Sequence, residues 1–197
     1  MNSRNNQKKN QLRIIGGEWR GRKLPFGTSE GLRPTPDRVR ETLFNWLQPV
    51  ITSAHCIDLY SGSGALGFEA ISRGAASATM LDNQSRVTRQ LQDNALTLKC
   101  SRAKIVNQSA LDYLAHPASH TYQVAFIDPP YQKGMAEPSC RLLEENNWLA
   151  PGAMIYLEVE KALSTLPVPD NWELLRSKKA GHLSFHLLQR HPLQEQT

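Results

Sequence analysis

Cysteine is scarce here: Cys56, Cys100 and Cys140 lie far apart and outside any Cys-x-x-Cys spacing. An odd, scattered set excludes a disulfide framework and a cysteine-built zinc site, and it fits a reducing compartment. The six histidines show no ligand spacing, so no metal is expected. No apolar run approaches the roughly 20 residues that a membrane span needs. The opening MNSRNNQKKN lacks the apolar stretch of a secretory signal. The expected location is therefore the cytoplasm, with no membrane partner. Internal repeats are lacking, and low complexity is confined to the first ten residues.

Acidic charge is short at one end only. Residues 1–40 hold ten Lys/Arg against three acids, whereas the remainder is slightly acidic, within a total of +5. A basic arm on a near-neutral body predicts a polyanionic partner met by the N-terminal end. At 197 residues and 40% hydrophobic content the chain suits one main domain with an appendage. We expect a flexible basic tail over 1–11, a hairpin and helix over 12–48, and the main domain over 49–192.

LRIIGGEWRGRKLP reads as a hairpin around Gly16-Gly17, with Leu12, Ile14, Trp19 and Leu24 available to pack. TPDRVRETLFNWL reads as a helix, capped by Thr35, with Pro36 first and an apolar stripe of Val39, Leu43, Phe44, Trp46 and Leu47. From about residue 54 strands alternate with helices: HCIDLY, SATMLD, KIVNQ, QVAFID and AMIYLEVE are strands, and the end folds back around Gly181 as a hairpin. That rhythm predicts an α/β chain with a parallel, doubly wound sheet.

DLYSGSGALG places Gly62, Gly64 and Gly67 between a strand and a helix, where glycines allow a tight turn and close approach of a ligand to the helix N-terminus. Asp82, ending the next strand, can accept hydrogen bonds from both hydroxyls of a ribose. The glycine pattern alone fits NAD and S-adenosylmethionine equally. Asp58, four residues before the first glycine, suits a cationic ligand better than a pyrophosphate, and Gln108 and Ser109 lie where an adenine would sit.

VAFIDPPYQKG answers which chemistry follows. Ligands of open α/β sheets bind at the strand carboxyl ends around the switch point. Asp128 ends the fourth strand, expected beside the first, so the DPPY segment would face the ligand of the glycine turn. Pro129 and Pro130 stiffen the turn and have no N–H, leaving a rim of acceptors with Tyr131 able to stack a planar group. Such a rim suits an exocyclic amine on a conjugated ring, oriented by the Asp128 carboxylate and Pro129 carbonyl for attack on a methyl donor. Either Asp128 or water takes the released proton.

These motifs together resemble the S-adenosylmethionine-dependent amino-methyltransferases. RIIGGEWRGRKL, LRPTPDRVRETLFNWL, DLYSGSGALGFEAISRGA and FIDPPY are similar to the RsmD-type family of 16S ribosomal RNA guanine-N2 methyltransferases, from about Leu12 to Arg190. The resemblance implies a Rossmann-like class I fold, with a seven-stranded, mostly parallel sheet and an antiparallel C-terminal hairpin. It implies a bacterial enzyme, acting as a monomer on the small ribosomal subunit or its assembly intermediate, with S-adenosylhomocysteine as second product. Asp58, Ser61, Gly62 and Gly64 would line the methionine end, Asp82 the ribose, and Gln108, Ser109 and Ala110 the adenine. Asp128, Pro129 and Tyr131 would hold the guanine. Where the family often carries Glu after the second strand, this chain has Asp82.

Within that resemblance the basic arm acquires a role. Arg13, Arg20, Arg22, Lys23, Arg33, Arg38 and Arg40 are expected to hold RNA phosphates, while Trp19 packs the hairpin. The alternatives are the same chemistry on DNA adenine or a protein glutamine, an NAD-dependent oxidoreductase, and an RNA-binding assembly factor without catalysis.

Overall fold

Short apolar runs alternate with 3.6-residue periodicity from residue 55 to residue 145, and each run there becomes a strand followed by a helix. The computed structural model describes residues 10–27, 35–160, 165–181 and 183–192. Its elements are β1 (Asn10–Arg13), β2 (Lys23–Phe26), α1 (Asp37–Ile51), β3 (His55–Asp58), α2 (Ala65–Ser72), β4 (Ser77–Asp82) and α3 (Ser85–Thr97). There follow β5 (Ala103–Asn107), α4 (Ala110–Leu114), β6 (Tyr122–Ile127), α5 (Ala136–Glu145), β7 (Leu149–Glu160), β8 (Trp172–Ala180) and β9 (Leu183–Arg190).

Seven strands form one sheet in the order β5-β4-β3-β6-β7-β9-β8, and β1 with β2 makes a separate antiparallel ribbon. The first five of that order are parallel, and β9 runs antiparallel to both its neighbours. This is the Rossmann-like arrangement expected, with the terminal hairpin inserting its second strand between β7 and β8. The winding reverses between β3 and β6, which makes a crevice at their carboxyl ends.

Both faces of the sheet are covered, so successive residues of one strand enter different cores. Cys56, Val124, Phe126 and Tyr156 pack on one side with α1, α2 and α3, and Ile57, Ala125, Ile127 and Leu157 on the other with α4 and α5. Leu12, Ile14, Trp19, Leu24 and Phe26 of the N-terminal ribbon join the first of these cores. No helix among the described residues is long and apolar enough to cross a membrane.

Several local expectations change. Residues 1–9 of the expected tail lie outside the described residues, but Asn10 and Gln11 pair with Phe26 and Pro25. The strands of the ribbon are joined by residues 14–22 rather than by a two-residue Gly-Gly turn, because Glu18 N and Trp19 N bond instead to Ser72 of α2. Pro36, not Thr35, occupies the N-cap of α1, with no side-chain cap. The helix also continues through Pro49 to Ile51. A proline in the last turn removes only one helical bond, and buried Leu47 and Ile51 keep the apolar stripe packed.

Candidate active site

A cavity of about 400 Å³ opens at the carboxyl ends of β3 and β6. Its first wall is the turn from β3 to α2. Gly64 has φ 81°, and a Cβ there would lie 2.6 Å from the Phe68 ring and 2.7 Å from Leu91. Only glycine makes this turn without displacing both side chains. Gly67 lets α2 lie against β4, since its Cβ would meet Met80 at 2.8 Å. Ser61 N donates to Leu81 O at 2.8 Å and ties the turn to β4.

Asp58 is buried, and its Oδ2 accepts the Gly67 N–H at 3.1 Å. Burial pushes its carboxyl up to about 7, against the lowering effect of that bond and of Ser61. Asp82 receives Gly62 N at 3.2 Å and Gln84 N at 2.9 Å, one on each carboxylate oxygen, and burial raises its pKa too.

The opposite wall is the segment after β6. Thr35 Oγ1 donates a long hydrogen bond, 3.5 Å, to Asp128 Oδ2. The Tyr131 hydroxyl donates to Glu158 Oε1 at 2.9 Å, while the residue as a whole remains 44% exposed. Desolvation, then the nearby carboxylates of Glu158 and Asp58, hold the Asp128 carboxyl well above the usual range. The charged side chains lining the cavity are three carboxylates, Asp58, Asp82 and Asp128, and one ammonium, Lys133. Carboxyl groups outnumber the ammonium three to one in this lining, which suits a positively charged, hydrogen-bond-donating ligand better than a pyrophosphate.

Of the predicted ligand residues, Asp58, Ser61, Gly62, Asp82, Ser109, Ala110, Asp128, Pro129 and Tyr131 all line this one cavity. Gly64 and Gln108 do not: Gly64 shapes the turn from behind, and Gln108 N bonds to Asp82 O beside it. Ser109 also caps α4, accepting from Asp112 N at 3.5 Å. Thr35 was missed because it reads as a helix cap. Glu158 was missed too, though an acid inside the apolar run AMIYLEVE was a readable signal.

The basic residues divide. Arg13, Arg20, Arg22, Lys23 and Arg38 are exposed, with Arg13 paired to Asp37 at 3.0 Å. Arg33 lies outside the described residues. Arg40 corrects the expectation: it is fully buried, bonded to Asp37 at 2.6 Å, Glu69 at 3.5 Å and Arg13 O at 2.8 Å. It cannot reach a phosphate, because the ribbon and α2 close over it. Among the described residues no group of three or more His, Cys, Asp or Glu is placed to hold a metal.

Comparison with known proteins agrees with this architecture. The sequence model of the family described as Conserved hypothetical protein 95 matches residues 12–189. Ribosomal RNA small subunit methyltransferase D of Escherichia coli K12 is 50% identical over 190 residues, 96% of each chain. Its Haemophilus influenzae namesake is 52% identical over 184 residues, 92% of this chain and 95% of that one. The solved structure of Escherichia coli yhhF is 48% identical over 93% of this chain and 99% of its own, with a TM-score of 0.87. A Thermus thermophilus 16S rRNA N2 G1207 methyltransferase, solved with AdoMet and guanosine, shares the fold at 16% identity and TM-score 0.71, covering 93% of this chain and 50% of that one. With that span of similarity and the DPPY cavity at the sheet's switch point, this chain belongs to the ribosomal RNA small subunit methyltransferase D family.

Proposed function

We propose that this protein methylates the exocyclic N2 of a guanine in 16S ribosomal RNA, consuming S-adenosylmethionine and giving N2-methylguanosine and S-adenosylhomocysteine. The observation that carries the reading is that the glycine turn, Asp82 and the DPPY segment open into one acidic cavity. The names of the curated relatives support ribosomal RNA as the substrate class.

When bound, S-adenosylmethionine supplies an electrophilic methyl group on a sulfonium. Asp58, Ser61 and Gly62 hold its methionine end, Asp82 accepts from the ribose, and Ser109 and Ala110 border the adenine. Asp128 and the Pro129 carbonyl accept the two N–H bonds of the guanine amine, which aims its lone pair into the cavity. The amine sheds one proton as it is methylated. Asp128 in its carboxylate form accepts that proton, and burial with its carboxylate neighbours makes that form more basic. Exposed Arg20, Arg22, Lys23 and Arg38 contact phosphates beside a base splayed from its loop. The protein acts in the cytoplasm, as a monomer, on the small subunit or its assembly intermediate.

The test is incubation with tritiated S-adenosylmethionine and 30S subunits from cells lacking the activity. Label recovered as N2-methylguanosine is expected; label in DNA or protein alone would overturn the substrate. The pH dependence checks Asp58 separately. S-adenosylhomocysteine should bind about tenfold more weakly at pH 6 than at pH 8, because Asp58, with its carboxyl near 7, becomes neutral and no longer attracts the ammonium of the ligand's amino-acid end. Titration calorimetry with Asp58→Asn should give a flat profile; a flat wild-type profile would remove Asp58 from the ammonium.

A further inference from the structure

The LEVE end of β7 puts two acids against the segment that follows β6. Along the strand Leu157 and Val159 enter one core, so Glu158 and Glu160 share the opposite face. Glu158 is only 5% exposed. Its Oε1 accepts the Tyr131 hydroxyl at 2.9 Å, and its Oε2 accepts the hydroxyl of fully buried Tyr156 at 2.7 Å. Parallel pairing sets Ile127 opposite Leu157, so the next residues, Asp128 and Glu158, stand side by side. Glu160 Oε1 accepts the Gln132 N–H at 2.6 Å. Gln132 has φ 58°, a left-handed conformation that side-chain-bearing residues hold only when their surroundings impose it.

Two glutamates of one strand thus fasten two consecutive residues of the DPPYQ segment. Stability does not explain the choice. A buried acid beside another acid opposes folding, and its bond to the Tyr156 hydroxyl offsets that only in part. Local rules are broken in this way where a site demands a geometry.

We infer that Glu158 and Glu160 are positioning residues that clamp the DPPY segment and hold the Tyr131 ring in place to stack on the target base. The inference rests on the proposed methylation of a guanine, whose ring Tyr131 would stack. Tyr156 is the fixed end of the clamp: its buried hydroxyl sets the Glu158 carboxylate, which sets the Tyr131 hydroxyl.

Two measurements on the full chain test it. Hydrogen exchange of the peptide spanning residues 128–134, without any substrate, should quicken in Glu158→Ala, Glu160→Ala and Tyr131→Phe; unchanged exchange in all three overturns the clamp. In methyl transfer to 30S subunits, Glu158→Ala and Tyr131→Phe should each lower kcat/KM by about tenfold, through KM for the RNA, with S-adenosylhomocysteine affinity unchanged. The double variant should be no worse than either single one, and Glu158→Gln, which keeps an acceptor, should recover most of the loss. Losses that multiply in the double variant would overturn the coupling. A wild-type chain that shows clamped exchange but methylates no RNA would overturn the substrate and leave the clamp standing. Should Glu158→Ala not fold, Glu160→Ala and Tyr131→Phe decide the exchange result alone.

Discussion

Asp128→Ala is expected to lower kcat for methyl transfer to RNA by about 10²–10³-fold while leaving S-adenosylhomocysteine affinity within about threefold of wild type. In the proposed mechanism the change removes the acceptor that orients the amine and takes its proton, but leaves the glycine turn and Asp82 untouched. Asp128→Asn keeps one acceptor oxygen but cannot take the proton, so it should recover only part of the loss. Stability should move the other way. Asp128 is more basic in the fold than in the unfolded chain, because burial, Glu158 and Asp58 oppose its charge. Above the ordinary carboxylate range the fold therefore holds a proton that the unfolded chain has lost, and stability falls as pH rises. Asp128→Ala should match or exceed the wild-type Tm at pH 8. Activity within tenfold of wild type would remove Asp128 from the chemistry; a lower Tm would show that its carboxylate supports the fold.

Glu69→Ala is the change expected to damage the fold most, by about 3–5 kcal/mol. Glu69 is fully buried on α2 and accepts from Ile15 N at 2.9 Å, Gly16 N at 2.8 Å, Arg73 Nε at 2.7 Å and Arg40 at 3.5 Å. Its loss would leave the buried Arg40 guanidinium short of a counter-charge, and two backbone N–H groups of the ribbon without acceptors. For a chain of this size the Tm should drop by roughly 10 °C. Arg40→Ala should also lower Tm, whereas Arg38→Ala, exposed on the same helix, should leave it within about 1–2 °C and weaken RNA binding with a shallower salt dependence. A Glu69→Ala Tm within about 3 °C of wild type would show that the ribbon is held by its apolar residues alone.

The strand–helix alternation, the glycine turn and the DPPY segment were legible in the residues because each rests on short-range chemistry. Apolar runs bounded by turn residues make strands, and a glycine at positive φ marks a turn wherever it sits. Asp58, Asp82 and Asp128 could likewise be placed at strand ends, and strand ends in such sheets face the ligand. Their convergence on one cavity followed from topology.

What the tertiary structure alone decided was which residues meet across the chain. Arg38 and Arg40 look equivalent in the sequence, yet two positions on a helix point to nearly opposite faces, and only the ribbon folded over α1 buries one of them. Thr35 had every local mark of a helix cap, but its hydroxyl reaches Asp128, 93 residues away. Glu69 is tied to backbone 53 and 54 residues earlier, and Glu158 to Tyr131 across 27. Composition, period and motif report what a segment does by itself. A buried charge finds its partner through packing, so its role as clamp, hub or phosphate contact is set by the neighbours that the fold brings to it.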